Sequence, residues 1–387
     1  MMGDKLKIGI IGSGILSKEI AERARELGIE SHCFSFNDQD VACPFVDCFH
    51  KINIFDTDKI AEICKKENIT GIIPTTELTI LPAAILADSL GLLGNKVDVA
   101  RDITNKYLTR NKVKNVPMLF QPSYTLYSSG AIPQIKNYPV IVKPIAAGGK
   151  RGISVVYSED DLKKAIDEAL PFSKVEGVLI EDFLSGGSEY SVETLSYKGI
   201  HYVTQITEKD TSGPPHCNEL GHHQPARLTE AMREKVRLVI SGVMDAVGIT
   251  NGPSHTEIKI IDKNIYLIEI NDRPGGDHIT YPLTELSTDY PYLSGIIYAA
   301  LGLLEGKEPR NLKNYYSGIL FVTDKTPELQ EIFEDCESFE WLYHKNCVNK
   351  GLSKITFNDE EGLNYFIYYS KKKDPRDFIK SYRRKKC

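Results

Sequence analysis

The sequence has eight cysteines, at positions 33, 43, 48, 64, 217, 336, 347 and 387, but no CxxC pair and no His/Cys group at zinc-module spacing. That argues against a zinc finger or a disulfide framework and favours reduced thiols. Cys217 is a lone cysteine and makes a poor nucleophile candidate. No apolar run approaches the roughly 20 residues that cross a bilayer. Residues 6–11 are apolar, but they are too short, and too soon followed by Gly12, for a secretory leader. A cytoplasmic protein with no membrane partner is expected. Basic excess is also missing: the net charge of −6 argues against general nucleic-acid binding. Two nucleotide fingerprints are absent as well. After the first strand, Gly12-Ser13-Gly14 is followed by Ser17 where a dinucleotide motif has its third glycine, and no acidic residue ends the second strand at Ser35 or Phe36. A GxxxxGK[ST] phosphate loop is lacking too.

What remains is an ordinary globular composition, 41% apolar and 26% charged, in 387 residues, enough for two or three domains. The first 94 residues alternate strand and helix. Residues 6–11, 31–36 and 70–74 read as strands, with helices over 58–67 and 83–90, as in a doubly wound α/β unit. Glu77 follows the third strand, at the carboxyl edge where such sheets keep their ligands; it could instead cap the next helix. Residues 95–115 read as one basic helix, whose charges would ordinarily be a solvated face, and Pro117 and Pro122 break it. A strand ending in Lys143-Pro144 then leads through Ala147-Gly148-Gly149-Lys150-Arg151-Gly152-Ile153-Ser154 into a second strand. A flexible basic loop between strands can drape amides and cations over a polyphosphate. Residues 160–170 form an amphipathic helix, and strands 178–184 and 189–193 flank a Gly-rich linker.

The chemistry centres on residues 251–279. Two alternating segments flank Asp262-Lys263-Asn264, read as a three-residue hairpin loop. Counting outward from Ile261 opposite Ile265 puts Glu257 across from Glu269, with Asn271 two residues on; Ile258, Ile260, Ile268 and Ile270 then share the other face. Facing carboxylates repel, so a cation between them is expected unless this is a plain solvent-facing polar side. Two carboxylates and an amide oxygen form the hard ligand set that Mg²⁺ accepts alongside water and phosphates. Arg273-Pro274-Gly275-Gly276 leaves the strand with a guanidinium and bare amides suited to an anion.

Taken in order, the amino-terminal α/β unit, the helix with Lys106, VIVKP with its glycine-rich loop, IEDFLSGGSEYSVE, HTEIK and IEINDRPGG resemble the ATP-grasp carboxylate–amine ligases from about residue 6 to residue 309. The resemblance implies an α/β fold, α+β in its ATP-grasp part: an amino-terminal domain over 1–94, a two-lobed ATP-grasp domain over 95–310 with a lid lobe at about 120–184, and a small carboxy-terminal subdomain with a basic tail over 311–387. In that last part residues 315–322 and 352–357 read as strands, 360–369 as a helix and 371–387 as a solvated tail.

The resemblance also assigns roles. Lys106 and Lys143 would contact the phosphates of ATP, and the loop with Gly148, Gly149 and Ser154 would close over them. Glu181 would meet the adenine amine beside the backbone of Asp182, Phe183 and Leu184, and Glu189 the ribose. Glu257, Glu269 and Asn271 would hold Mg²⁺, or Mn²⁺. Arg273 would neutralise the transferring phosphoryl group, and Gly275 and Gly276 would offer amides to an oxyanion. The segment from Thr207 through His216, Glu219 and His222 to Ala226 is most similar to the substrate loop of the L-amino acid ligases, with His216 and Glu219, and Glu77 secondarily, meeting substrate; His222, His223 and His278 look structural. The expected reaction is ADP-forming amide synthesis through an acyl phosphate, on small-molecule substrates, in a possible homodimer, with no general base assigned. Alternatives are a carboxylating or amidating ligase acting on a nucleotide precursor, a nucleotide-binding protein without turnover, and a dehydrogenase.

Overall fold

A computed structural model describes residues 5–148, 151–173, 177–214, 217–354 and 362–383. Gly149 and His216, both expected at the site, lie outside the described residues.

The first unit is a parallel sheet in the order Cys48–Lys51, Glu30–Ser35, Lys7–Ile11, Gly71–Pro74. Its strands are short and β-branched at the centre, and Ile8, Ile10 and Ile11 are fully buried between helices on the two faces. The helices are Ile15–Glu26, Thr57–Glu67 and Ile80–Leu90. Glu77 opens a short turn just beyond Pro74, at the carboxyl edge.

Nine strands form the central sheet, from Leu342–Asn346 at one edge through Asn364–Ser370, Tyr316–Val322, Glu219–Gln224, Ile200–Thr211, Ser188–Tyr197, Gly252–Ile261 and Asn264–Asn271 to Leu119–Phe120. One face is apolar. Tyr190, Val192, Ile206, Ile258, Ile265, Leu267 and Ile270 pack there against the helix Glu230–Val247, which Thr229 caps by accepting from the Met232 amide. Period-two alternation turns the intervening residues of the same strands, almost all polar, to the opposite face.

A third sheet, Tyr124–Tyr127, Val178–Asp182, Val140–Pro144, Ser154–Val156, is antiparallel and carries the helix Glu159–Ala169 on its own small core. The segment from Ile145 to Gly148 projects from it.

Four expectations change. Residues 95–115 are two helices, Val97–Ile103 and Lys106–Val113, divided where Asn105 caps the second by accepting from the Leu108 amide. That second helix is no solvated face: Lys106 and Arg110, one turn apart, are both buried. The segment read as a helix over 360–369 is instead the strand Asn364–Ser370, with residues 355–361 outside the description. Lastly, the basic stretch from 371 is docked through the helix Arg376–Ser381, where buried Arg376 binds Asp374, Glu208 and the Pro225 carbonyl. Among the described residues no helix is long and apolar enough to cross a membrane.

Candidate active site

The polar face of the central sheet is organised in rows. Register places Lys209, Glu189 and Lys259 side by side, then Thr207, Ser191, Glu257 and Glu269, then Gln205, Glu193, His255 and Asn271. Glu257 does lie opposite Glu269, but by a different route from the one counted. The hairpin loop has two residues, Asp262 and Lys263, at φ 48° and 68°, so Ile261 faces Asn264; a bulge beside Glu257 then inserts one residue in the second strand and restores the pairing. Ile268 is thereby turned off the core face, and its carbonyl accepts from Arg110 (3.0 Å).

The repulsion between the facing carboxylates is relieved by lysines. Lys209 Nζ lies 2.7 Å from Glu257 Oε1 and 3.0 Å from Glu219 Oε1, while Lys106 Nζ lies 3.1 Å from Glu269 Oε1 and also donates to the Ala147 carbonyl at 3.0 Å. Burial alone would lower the Lys106 pKa, but Glu269 and then Glu77 outweigh it and raise it. Glu77 reaches the same place from the first unit: a β-carbon added to Gly148 would stand 1.8 Å from a Glu77 carboxylate oxygen, so any larger residue would force the Glu77 side chain to move. Lys106, Glu269, Glu77 and the projecting loop therefore meet at one point.

Lys143, expected at the phosphates, and Glu181, expected at the adenine amine, instead pair with each other at 2.7 Å, and Arg110 joins them at 2.6 Å. Glu181 is 1% exposed. Burial would push its pKa up, yet Lys143 and Arg110 hold it down at about 2. Both carboxylate oxygens are thus engaged by cations, which leaves little capacity for an adenine amine. Asp182 and Phe183 run alongside, their amides donated to the carbonyls of Ser123 and Pro139, and Leu184 follows half-buried. Lys259 connects this linker with the acid assigned to ribose, lying 5.9 Å from the Phe183 ring and 3.5 Å from Glu189 Oε1. Glu189, Lys209 and Lys259 line a cavity of about 590 Å³ whose far wall includes Lys325 and Lys380. Ser154 begins its strand half-buried, opposite Val142.

Beside the row of Glu257 and Glu269 is a pair that sequence reading gave no role. His255 Nδ1 contacts Glu193 Oε1 at 2.6 Å, and its Nε2 lies 3.7 Å from Glu257 Oε1. Burial would lower the imidazole pKa, but Glu193 raises it to about 9, so the ring is a cation at neutral pH. Glu193 also accepts the Gly275 amide (3.2 Å). That amide is therefore occupied by a protein carboxylate, in contrast to its expected presentation to an oxyanion. Gly276 is exposed, and its carbonyl accepts from Ile279. Arg273 donates to the Pro274 carbonyl (2.7 Å), while its buried Nε has no hydrogen-bond partner among the described residues. His223 is structural, between Asp210 and Tyr368, and burial pushes His278 down to about 4. His222 is fully buried with neither ring nitrogen hydrogen-bonded, and Asp277 is 3.6 Å away.

Arg110, Lys209, Glu193 and His255 were the residues missed. Arg110 is one helical turn from Lys106, and His255 and Glu193 are in phase with Glu257 and Glu189, so spacing carried a signal for each.

Residues 136–281, which hold most of this polar face and three strands of the third sheet, match the family model of the ATP-grasp domain. The chain contains an ATP-grasp domain. ATP with Mg²⁺ is the cofactor of this domain class, and the all-oxygen set of Glu257, Glu269 and Asn271 beside Lys106 suits it. In sequence, the protein is similar to the formate-dependent phosphoribosylglycinamide formyltransferase of Methanocaldococcus jannaschii, 26% identical over 324 residues and 78% of each chain. In fold it is similar to the L-amino acid ligase from Bacillus licheniformis (TM-score 0.81, 21% identity, 97% of this chain and 96% of that one). It is also similar to N5-carboxyaminoimidazole synthetase from Staphylococcus aureus complexed with ADP (TM-score 0.75, 16% identity, 97% and 96%). The ATP-grasp protein has the architecture of ATP-dependent carboxylate–amine ligases.

Proposed function

We propose that this ATP-grasp protein joins an amino-acid carboxylate to an amine, through an acyl phosphate, with release of ADP and phosphate. The observation that carries the reading is the convergence of Lys106, Glu257, Glu269, Asn271 and the Arg273 loop on one polar face below a lid strand ending in Lys143. Likeness to the L-amino acid ligase over 97% of the chain supports the choice of amino acid.

Glu257, Glu269 and Asn271 would hold Mg²⁺, whose charge would offset that developing on the phosphates. The residues themselves position and neutralise. Lys106 and Lys209 already sit at the metal carboxylates, where they can take over phosphate oxygens once those carboxylates bind the ion. Phe183, Lys259 and Glu189 form the wall for base and ribose, and Gly148 lets the loop close against Glu77. The buried Arg273 Nε has hydrogen-bonding capacity to spare where the transferring phosphoryl group would pass. A substrate carboxylate oxygen attacks the γ-phosphorus and ADP leaves; the amine nitrogen then attacks the acyl carbon and phosphate leaves. Most of the acceleration comes from positioning and fixed charge.

A second reading is favoured by the formyltransferase relatives: a small carboxylate joined to a phosphoribosyl amine. One experiment separates the two. ADP release is measured over the twenty amino acids in pairs, and over formate or bicarbonate with phosphoribosyl amines, with mass spectrometry of the products. A dipeptide mass supports the first reading. Turnover only with the phosphoribosyl amines replaces it with the second, and no turnover with any acid refutes both.

A further inference from the structure

Outside the active-site face, one group of side chains in the first domain has the chemistry of a metal centre. Glu30, His32 and Cys48 project from one face of two adjacent strands, with His32 and Cys48 directly paired across the sheet. One potential ligand atom from each lies within 4.8 Å of the others. We propose that these three residues bind a zinc-class divalent ion, through a carboxylate oxygen of Glu30, Nε2 of His32 and Sγ of Cys48, with the fourth position open to solvent.

The donor types suit the ion: thiolate, imidazole and carboxylate together favour zinc-like metals over Mg²⁺. Burial grades the right way too. His32 is fully buried, whereas Glu30 and Cys48 are half-exposed, so an ion can enter from the surface. The imidazole is also held from behind. His32 Nδ1 lies 3.0 Å from His50 Nε2, and the His50 ring stacks on Phe34 at 4.7 Å. A metal-binding histidine ordinarily has its second nitrogen fixed by such a partner. In the metal-free state His32 Nε2 is 3.0 Å from Glu30 Oε1, and Lys7 Nζ lies 3.0 Å from the same oxygen and 3.6 Å from Glu67. Binding would displace Lys7 toward Glu67, release the thiol proton, and move the His32 proton to Nδ1, where His50 Nε2 accepts it.

The three residues lie at the amino-terminal ends of their strands, whereas Glu77 and the active-site face lie beyond the carboxyl edge of this sheet. The ion would therefore brace the exposed edge strand Cys48–Lys51, not take part in ligation, and the proposal does not depend on which substrates are joined.

The test uses the full chain, treated with chelator and held in saturating Mg²⁺ so that the carboxylates of the active site are occupied. Co²⁺ is titrated in as a coloured zinc surrogate. One equivalent should produce a thiolate-to-cobalt charge-transfer band that Zn²⁺ abolishes and that Cys48→Ser, at a half-exposed position, does not show. Replacing the outer partner by His50→Phe, which keeps a ring over Phe34, should weaken Zn²⁺ binding about 10–100-fold. Absence of the band, or a band that persists in Cys48→Ser, overturns the proposal. Unchanged Zn²⁺ affinity in Cys48→Ser, read by calorimetry, overturns it independently.

Discussion

Replacing Arg110 by Met should destabilise the protein far more than the loss of one surface charge would. Arg110 is 2% exposed and shares Glu181, 1% exposed, with Lys143. A carboxylate brought from 4.5 to about 2 in the folded state corresponds to on the order of 3 kcal/mol at neutral pH. Removing one member of a buried ion cluster costs a comparable amount, about 3–5 kcal/mol. The sign with pH follows from the direction of the shift. A depressed carboxylate contributes in full above its unfolded value of 4.5 and loses that contribution as the pH falls through about 2. The penalty for Arg110→Met should thus be largest at neutral pH and should shrink on acidification through that window.

Urea unfolding of wild type, Arg110→Met, Glu181→Gln and the double variant, followed by far-ultraviolet circular dichroism, measures the effect. Tryptophan fluorescence would report elsewhere, since the sole tryptophan, Trp341, stacks on Phe339 in the carboxy-terminal aromatic cluster. Contacting residues couple by about 0.5–3 kcal/mol, and a shared buried charge belongs at the upper end. Additivity of the two single variants within about 0.5 kcal/mol would refute the reasoning. Arg110 also donates to the Ile268 carbonyl at the bulge that aligns Glu269 with Glu257, so the variant should require more Mg²⁺ for half-maximal activity.

Glu269→Gln should sharply weaken Mg²⁺-dependent turnover, and an unchanged magnesium titration would remove Glu269 from the metal set. Arg273→Ala should lower kcat by about 100-fold or more, as loss of one preorganised donor does, with ATP affinity nearly unchanged; an active variant tells against its role. Gly275→Ala would place a β-carbon 2.7 Å from His255 Nδ1 and 3.0 Å from the Glu193 oxygens, so it should cost about 1–3 kcal/mol of stability, checked by urea denaturation. The His255–Glu193 pair raises a histidine pKa from 6.5 to about 9; its stabilisation is therefore complete below about pH 6.5 and lost as the pH rises through about 9. A His255 ring resonance titrating below pH 7 by NMR would contradict that.

Much of this site is legible in the sequence because strands encode faces by parity. Glu257, Glu269 and Asn271 were placed on one polar face by alternation and register, and the structure puts them there. The hairpin also shows where such counting breaks down. Asp262 and Lys263 adopt left-handed φ without a glycine, so nothing in the residue types marked a two-residue loop, and the bulge beside Glu257 has no sequence signature either. The two errors cancelled for Glu269 but not for Ile268. Arg110 escaped notice for another reason: a basic helix in isolation reads as solvated, and only the position of Glu181, 71 residues further on, makes burial of its guanidinium affordable.

The same charge balance ties metal binding to nucleotide binding. Each proposed Mg²⁺ carboxylate now has a lysine partner: Lys209 for Glu257 and Lys106 for Glu269. Lys106 and Lys209 are buried, so neither can turn to water if its carboxylate is taken up by the ion. An arriving Mg²⁺ without phosphate would leave two buried ammonium groups beside a divalent cation. An arriving triphosphate without Mg²⁺ would face carboxylates that its lysines still neutralise. The two together would exchange the ion pairs of Glu257 and Glu269 for others, with carboxylates on the metal and ammonium groups on phosphate oxygens, while Lys209 keeps Glu219. On the proposed assignment, the lysines that relieve the repulsion of the facing glutamates would pass to a phosphate only as a metal ion replaces them.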